Sequence, residues 1–254
     1  MHLLEVRSLS KHFGGIRAIE DISFTAMAEV IVSIIGPNGA GKTTLFNCLT
    51  GFMKPTRGSI LLSERDISAI SPAGINRLGI ARTFQNIRLF RTMTVIENVM
   101  VSQHAMIHYG LMASLLRTPA FRRSEKNVRE RSFEYLELLG LEEYADKISG
   151  SLSYGAQRRI EIARALATGA SIILLDEPTA GMNPYETDRM MALINDLKRM
   201  GKTVLLIEHD MKVVMGISDR IVVLDHGVKI AEGPPAEIKN NPLVIEAYLG
   251  KEAH

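Results

Sequence analysis

Residues 36 to 44, Gly36-Pro-Asn38-Gly39-Ala40-Gly41-Lys42-Thr43-Thr44, have the types and spacing to hold a phosphate. Three glycines let the backbone take φ > 0 and turn its N–H groups toward one point, where they meet the positive end of a helix dipole. Lys42 can reach β- and γ-phosphates, and the Thr43 hydroxyl can ligate Mg²⁺. A second cluster, Asp176-Glu177, closes the apolar run Ile172-Ile-Leu-Leu. Neighbouring residues at a strand end point different ways, so Asp176 can hold the metal while Glu177 faces a water aligned on the γ-phosphate, as base or positioner. The glycine-rich loop alone implies a nucleotide phosphate and leaves kinase, GTPase and ATPase open; the acid pair suits phosphoryl transfer to water.

The elements that must position them are legible. Val30 to Ile35 is a short apolar run rich in β-branched residues, which reads as a buried strand, and Thr44 to Leu49 reads as helix. Residues 171–175 and 203–207 read as further buried strands, separated by a helix over 184–200, the βαβ alternation of a parallel sheet with helices on its faces. Residues 3–9 and 19–25 alternate apolar and polar as half-exposed antiparallel strands do, and Lys11 to Gly15 reads as a turn between them. Strands follow at 59–62 and 79–84, a hairpin at 221–224 and 228–231 around Asp225-His-Gly227, and a helical tail from Pro235. Phe13, carried on the first turn, either stacks on a base or is an ordinary core or loop phenylalanine.

Between residues 86 and 166 helical spacing takes over, with Val128, Ser132, Leu136 and Leu139 on one face and Gly140 as a C-cap. This stretch reads as a lobe inserted into the sheet domain. Its basic segment, 117–131, is either a solvated helix face or a contact for anionic lipid or a partner protein. Leu152-Ser153-Tyr154-Gly155-Ala156-Gln157 opens a helix with Ser153 as N-cap, a second anion site in the same chain. Two anion sites with an acid pair suggest a nucleotide shared between two subunits.

The 254 residues are near the upper limit for one core. Lys and Arg outnumber Asp and Glu by two, which gives no general reason to invoke nucleic acid. The single Cys48 cannot form an internal disulfide and reads as buried core in a reducing compartment. No apolar stretch is long enough to cross a membrane, the nearest being 105–116, and the N-terminus lacks a signal-peptide pattern.

Taken in order, Gly36 to Thr44, Gln85, Leu152 to Gln157, Leu174 to Pro178, Ala180-Gly-Met-Asn183 and His209 resemble the P-loop, Q-loop, signature, Walker B, D-loop and switch histidine of ATP-binding cassette ATPases. The resemblance spans the chain and implies one cassette over 1–254. Its α/β core, a P-loop NTPase mixed sheet with an antiparallel β subdomain, would occupy 1–85 and 167–235. A helical subdomain would occupy 86–166 and a helical tail 236–254. It also implies that ATP and Mg²⁺ lie between the P-loop of one cassette and the signature of another. Ser153, Gly155 and Gln157 would then act in trans, His209 on the γ-phosphate, Gln85 in the Mg²⁺ shell, and Phe13 on adenine. Tyr154, Ala156 and Asn183 depart from the usual pattern, as does Ala28 before the P-loop strand.

Arg82 to Phe90, Thr118 to Arg123, Ile207 to Met211 with Val214 to Asp219, and Asn240 to Gly250 resemble more narrowly the ATP-binding subunits of bacterial branched-chain amino acid importers. These stretches are expected to lie outside the ATP chemistry. The resemblance implies a cytoplasmic ATPase on the inner face of the plasma membrane. Its partners would be a second, different ATPase (with a homodimer open in isolation), two permeases and a periplasmic or lipid-anchored binding protein, with no nucleic acid. Ile87 to Thr94 would dock a permease helix. Other cargo (urea, another amino acid, a lipopolysaccharide precursor) and a soluble cassette acting on nucleic acid are the alternatives.

Overall fold

The computed structural model describes residues 3–104 and 119–249. The apolar stretch 105–116, Arg117 and Thr118 lie outside the described residues. The chain divides into two compact units, Met1–Arg82 with Ser171–His254, and Thr83–Ala170.

The first unit opens with β1 (Leu4–Phe13), β2 (Ile16–Ala26), β3 (Ile31–Ile35), α1 (Lys42–Leu49), β4 (Arg57–Leu62), β5 (Arg65–Asp66), α2 (Pro72–Arg77) and β6 (Ile80–Arg82). The second unit contributes the helices α3 (Val95–His104), α4 (Pro119–Leu138) and α5 (Tyr154–Ala167). The chain then returns to the first unit with β7 (Ile172–Asp176), α6 (Pro184–Arg199), β8 (Thr203–Ile207), α7 (Met211–Ile217), β9 (Arg220–Asp225), β10 (Val228–Gly233), α8 (Pro235–Lys239) and α9 (Pro242–Leu249).

The first unit is a mixed α/β structure with two sheets. One runs β2-β1-β4-β5, its neighbours antiparallel. The other runs β10-β9-β3-β8-β7-β6, parallel apart from β10, which pairs antiparallel with β9. All five residues of β3, β7 and β8 are buried. That is why their sequences are apolar apart from Ser33, Asp176 and Thr203: a parallel strand covered on both faces has no solvent side to mark with alternating polar residues.

Alternation still decides which core each side chain joins. Val32 and Ile34 pack with Leu45, Phe46 and Leu49 of α1 and with Val6, Phe24 and Ile60 of the antiparallel sheet. Ile35 packs on the opposite side with Val214 of α7, Ile238 of α8 and Val244 of α9. Helix α1 is thus covered by both sheets, which fixes the loop that precedes it.

Two local expectations need correction. The turn assigned to Lys11–Gly15 is only Gly14-Gly15: β1 runs on to Phe13, which pairs with Ile16, and Gly14 takes φ 57° to close the hairpin. The strand assigned to 79–84 is the shorter Ile80–Arg82, ending where its register with Ile172–Leu174 ends.

In the second unit α3, α4 and α5 pack on one another. Val128, Ser132 and Leu136 form the buried stripe of α4, with Leu139 just beyond its end. Gly140 has φ 60°, and the Leu141 N–H donates back to the Leu136 carbonyl, which stops the helix.

Candidate functional site

Ser71, Ser153, Asn183 and Asp210 cap α2, α5, α6 and α7 with a side-chain oxygen. Helix α1 starts differently. Its N-cap is Gly41, left-handed at φ 97°, with no side-chain cap and no acidic residue in the first turn. With no side-chain cap there, the start of α1 and the positive end of its dipole suit an external anion.

The loop's shape depends on two glycines. A Cβ on Gly36 would lie 2.0 Å from the Leu224 carbonyl oxygen, and one on Gly41 would lie 2.6 Å from both the Ala18 oxygen and Ile19 Cγ2. No side chain fits at either point. Lys42 Nζ donates to the Gly36 and Pro37 carbonyls at 2.7 and 2.9 Å, so the ammonium is held against the loop. Thr43 and Thr44 follow in the first turn of α1. Ala18 and Ile19, against Gly41, lie just past the β1–β2 hairpin tip, and the Phe13 ring on that tip is 45% exposed. Cys48, on the inner face of α1, is a buried thiol whose pKa burial pushes up to about 11, so it stays protonated and inert.

The P-loop follows β3, Asp176 ends β7 with Glu177 just after it, and His209 follows β8; in the sheet β8 lies between β3 and β7. Three loops from the carboxyl ends of three adjacent parallel strands thus share one edge of the sheet, the usual ligand edge of such folds. Asp176 is buried, whereas Glu177 keeps a partly exposed carboxylate on a backbone of φ 49°. A non-glycine residue in the left-handed region stores strain and is over-represented at functional sites. His209 Nδ1 lies 4.0 Å from Glu177 Oε1, and its ring is 65% exposed.

Two residues overlooked in the sequence complete this edge. Glu208 is a buried carboxylate: Oε1 accepts from the N–H and hydroxyl of Thr179, and Oε2 accepts from the His209 N–H at 3.0 Å. It ties the segment after Glu177 to His209. The other residue is Arg82, placed outside the ATP chemistry by sequence reasoning. Its guanidinium bonds Asp176 Oδ2 at 2.7 Å. A strand ending in an arginine amid otherwise apolar residues was the available signal, but the partner is 94 positions away.

Gln85, Ser153, Gly155 and Gln157 belong to the second unit. Ser153 Oγ accepts from the Ala156 N–H at 3.4 Å, and Gln157 Nε2 donates to the Leu152 carbonyl at 2.8 Å. Buried Arg158 donates to the carbonyls of Phe84 and Gln85 and lies 3.0 Å from Glu161, which in turn accepts from the Arg88 N–H at 2.8 Å. Burial raises the Glu161 carboxyl above its ordinary range, against the pull of Arg158 and Arg164. The backbone of Gln85 is thus bonded to the helix that Ser153 caps. Asn183, unusual for its position, forms a capping box with Glu186.

The family model described as "ABC transporter" matches residues 19–180, and one described as "Branched-chain amino acid ATP-binding cassette transporter" matches 228–254. The chain is 53% identical over 250 residues to the high-affinity branched-chain amino acid transport ATP-binding protein LivG of Salmonella typhimurium, covering 98% of each. Among solved structures it resembles the ADP conformation of MJ1267, an ATP-binding cassette of an ABC transporter. That match has a TM-score of 0.86 and 34% identity, over 98% of this chain and 99% of that one. It also resembles the dimeric post-hydrolysis state of the cassette MJ0796 bound to ADP and Pi, at TM-score 0.77 and 27% identity, over 91% and 98%. With a family model matching more than half of its length and relatives at this identity over nearly all of it, the chain belongs to the ATP-binding cassette family of transporter ATPases.

Proposed function

We propose that this chain hydrolyses ATP as the motor subunit of an importer for leucine, isoleucine and valine. The observation that carries the chemistry is the shared strand edge: phosphate loop, acid pair and histidine leave β3, β7 and β8 side by side. The start of α1 and Lys42 bind and orient the triphosphate. The donor set suits Mg²⁺, which binds through few protein ligands and keeps phosphate and water in its shell. The Thr43 hydroxyl and the Asp176 carboxylate would hold it, and no cluster of three or more His, Cys, Asp or Glu suited to a metal occurs among the described residues. When bound, the ion neutralises charge developing on the phosphates.

Glu177, partly exposed beside His209, accepts the proton of the attacking water, and His209 steadies the γ-phosphate. Ser153 and Gly155 of a second cassette face the same nucleotide, a reading supported by the dimeric form of MJ0796. The cargo reading rests on the names of the relatives and on the tail model over 228–254. Among the described residues no helix is long and apolar enough to cross a membrane; permease subunits, implied by the transporter family, would supply the channel. On this reading the chain works at the inner face of the membrane, and its exposed Phe90 and Met93 are available to the permeases.

Uptake of labelled leucine in cells lacking this chain tests the proposal. The native chain should restore uptake and Glu177→Gln should not, turnover falling by about 10²-fold or more. Restored uptake of another solute with leucine unchanged would reassign the cargo, and near-native turnover in Glu177→Gln would remove Glu177 from its role.

A further inference from the structure

Asp176, the carboxylate placed on the metal, is buried, and a buried charge needs a partner. Its partner is Arg82, whose side chain is only 5% exposed and whose Nη2 lies 2.7 Å from Asp176 Oδ2. The same guanidinium reaches α1: Nη1 donates to Asn47 Oδ1 at 2.7 Å and lies 3.4 Å from Thr50 Oγ1, while the plane sits 5.5 Å from the Phe46 ring centroid. One side chain therefore joins the end of β6, the end of β7 and the helix that begins at the P-loop.

We infer that Arg82 is a positioning residue for the divalent-cation site, balancing the charge of Asp176 when no cation is bound and holding Oδ2 so that the other oxygen serves the metal. This rests on the nucleotide site proposed above. Two positive groups then share one carboxylate. Each weakens the hold of the other, because like charges a few ångströms apart in a partly desolvated site repel. The cation binds a carboxylate that is oriented in advance but already partly neutralised, which favours release of the metal with product. A residue that only held β6 against α1 would have no such opposition to the cation.

Electron paramagnetic resonance of Mn²⁺ titrated into the ADP-loaded full chain reads the coupling without turnover. In Arg82→Met, Mn²⁺ should bind at least about fivefold tighter than in the native chain. In Arg82→Lys, which keeps the charge, it should stay within about threefold of native. Equal or weaker Mn²⁺ binding in Arg82→Met, or tightening in Arg82→Lys as large as in Arg82→Met, overturns the inference. Should Arg82→Met be unfolded alone, Mn²⁺ with ADP must restore its cooperative melting, and failure to do so also overturns it. If the native chain itself binds no Mn²⁺ with ADP, the nucleotide-site reading fails instead.

Discussion

Glu208 shows how much one buried carboxylate can govern. Its two oxygens meet donors on Thr179 and on the His209 backbone, so one side chain holds both the histidine and the segment after Glu177. In Glu208→Gln one face presents an NH₂ to N–H donors whichever way the amide turns, and an unmet buried donor costs about 1–3 kcal/mol. Turnover should fall at least about tenfold, with nucleotide affinity within about threefold; isothermal titration beside a phosphate-release assay separates the two. A parallel loss of affinity would make Glu208 a folding residue only. Cys48 gives a second test. Its folded pKa, about 11, lies above the ordinary 9.0 because the thiolate would be desolvated. The neutral thiol's contribution to stability is therefore complete below pH 9 and is lost as pH rises through about 11. At pH 8, alkylation of native protein should be at least about 100-fold slower than of unfolded protein; comparable rates would contradict its burial.

At the scale of elements, the P-loop was legible because strand, glycines and helix are contiguous, and because glycines at close backbone approaches leave a mark in the sequence. The same holds for β7 and β8, which are apolar apart from Asp176 at the end of one and Thr203 at the start of the other. Helices α2 and α7 were overlooked, although Ser71 with Pro72 and Asp210 are ordinary start signals, because seven residues or fewer show too little periodicity. The Arg82–Asp176 pair could not be read, since it depends on β6 and β7 being neighbours across the whole inserted unit. Gly41→Ala tests the hinge of α1 against β2: a Cβ would press on Ala18 and Ile19, and φ 97° would be strained as well. The cost should be about 2–4 kcal/mol, read as a lower denaturation midpoint with loss of ADP binding. A stable variant that binds ADP normally would show that the loop has slack.

For the whole molecule, a signature that acts in trans means that each nucleotide is closed in by a second cassette. The chain carries a phosphate-binding half-site in one unit and a serine-capped helix start in the other. Mixing two inactive variants, Lys42→Ala and Ser153→Arg, should therefore restore part of the ATPase activity, because a mixed pair contains one intact P-loop facing one intact signature. Lack of recovery despite mixed pairing would place all the catalytic groups on one chain.

The most direct test is light scattering of Glu177→Gln with Mg²⁺ and ATP. The molar mass should double on ATP addition, return to the monomer value when Lys42→Ala or Ser153→Arg is added to the same chain, and stay undoubled with ADP. A Glu177→Gln chain that binds ATP at its P-loop yet remains a monomer at every concentration, alone and with the partner ATPase, would contradict the shared site.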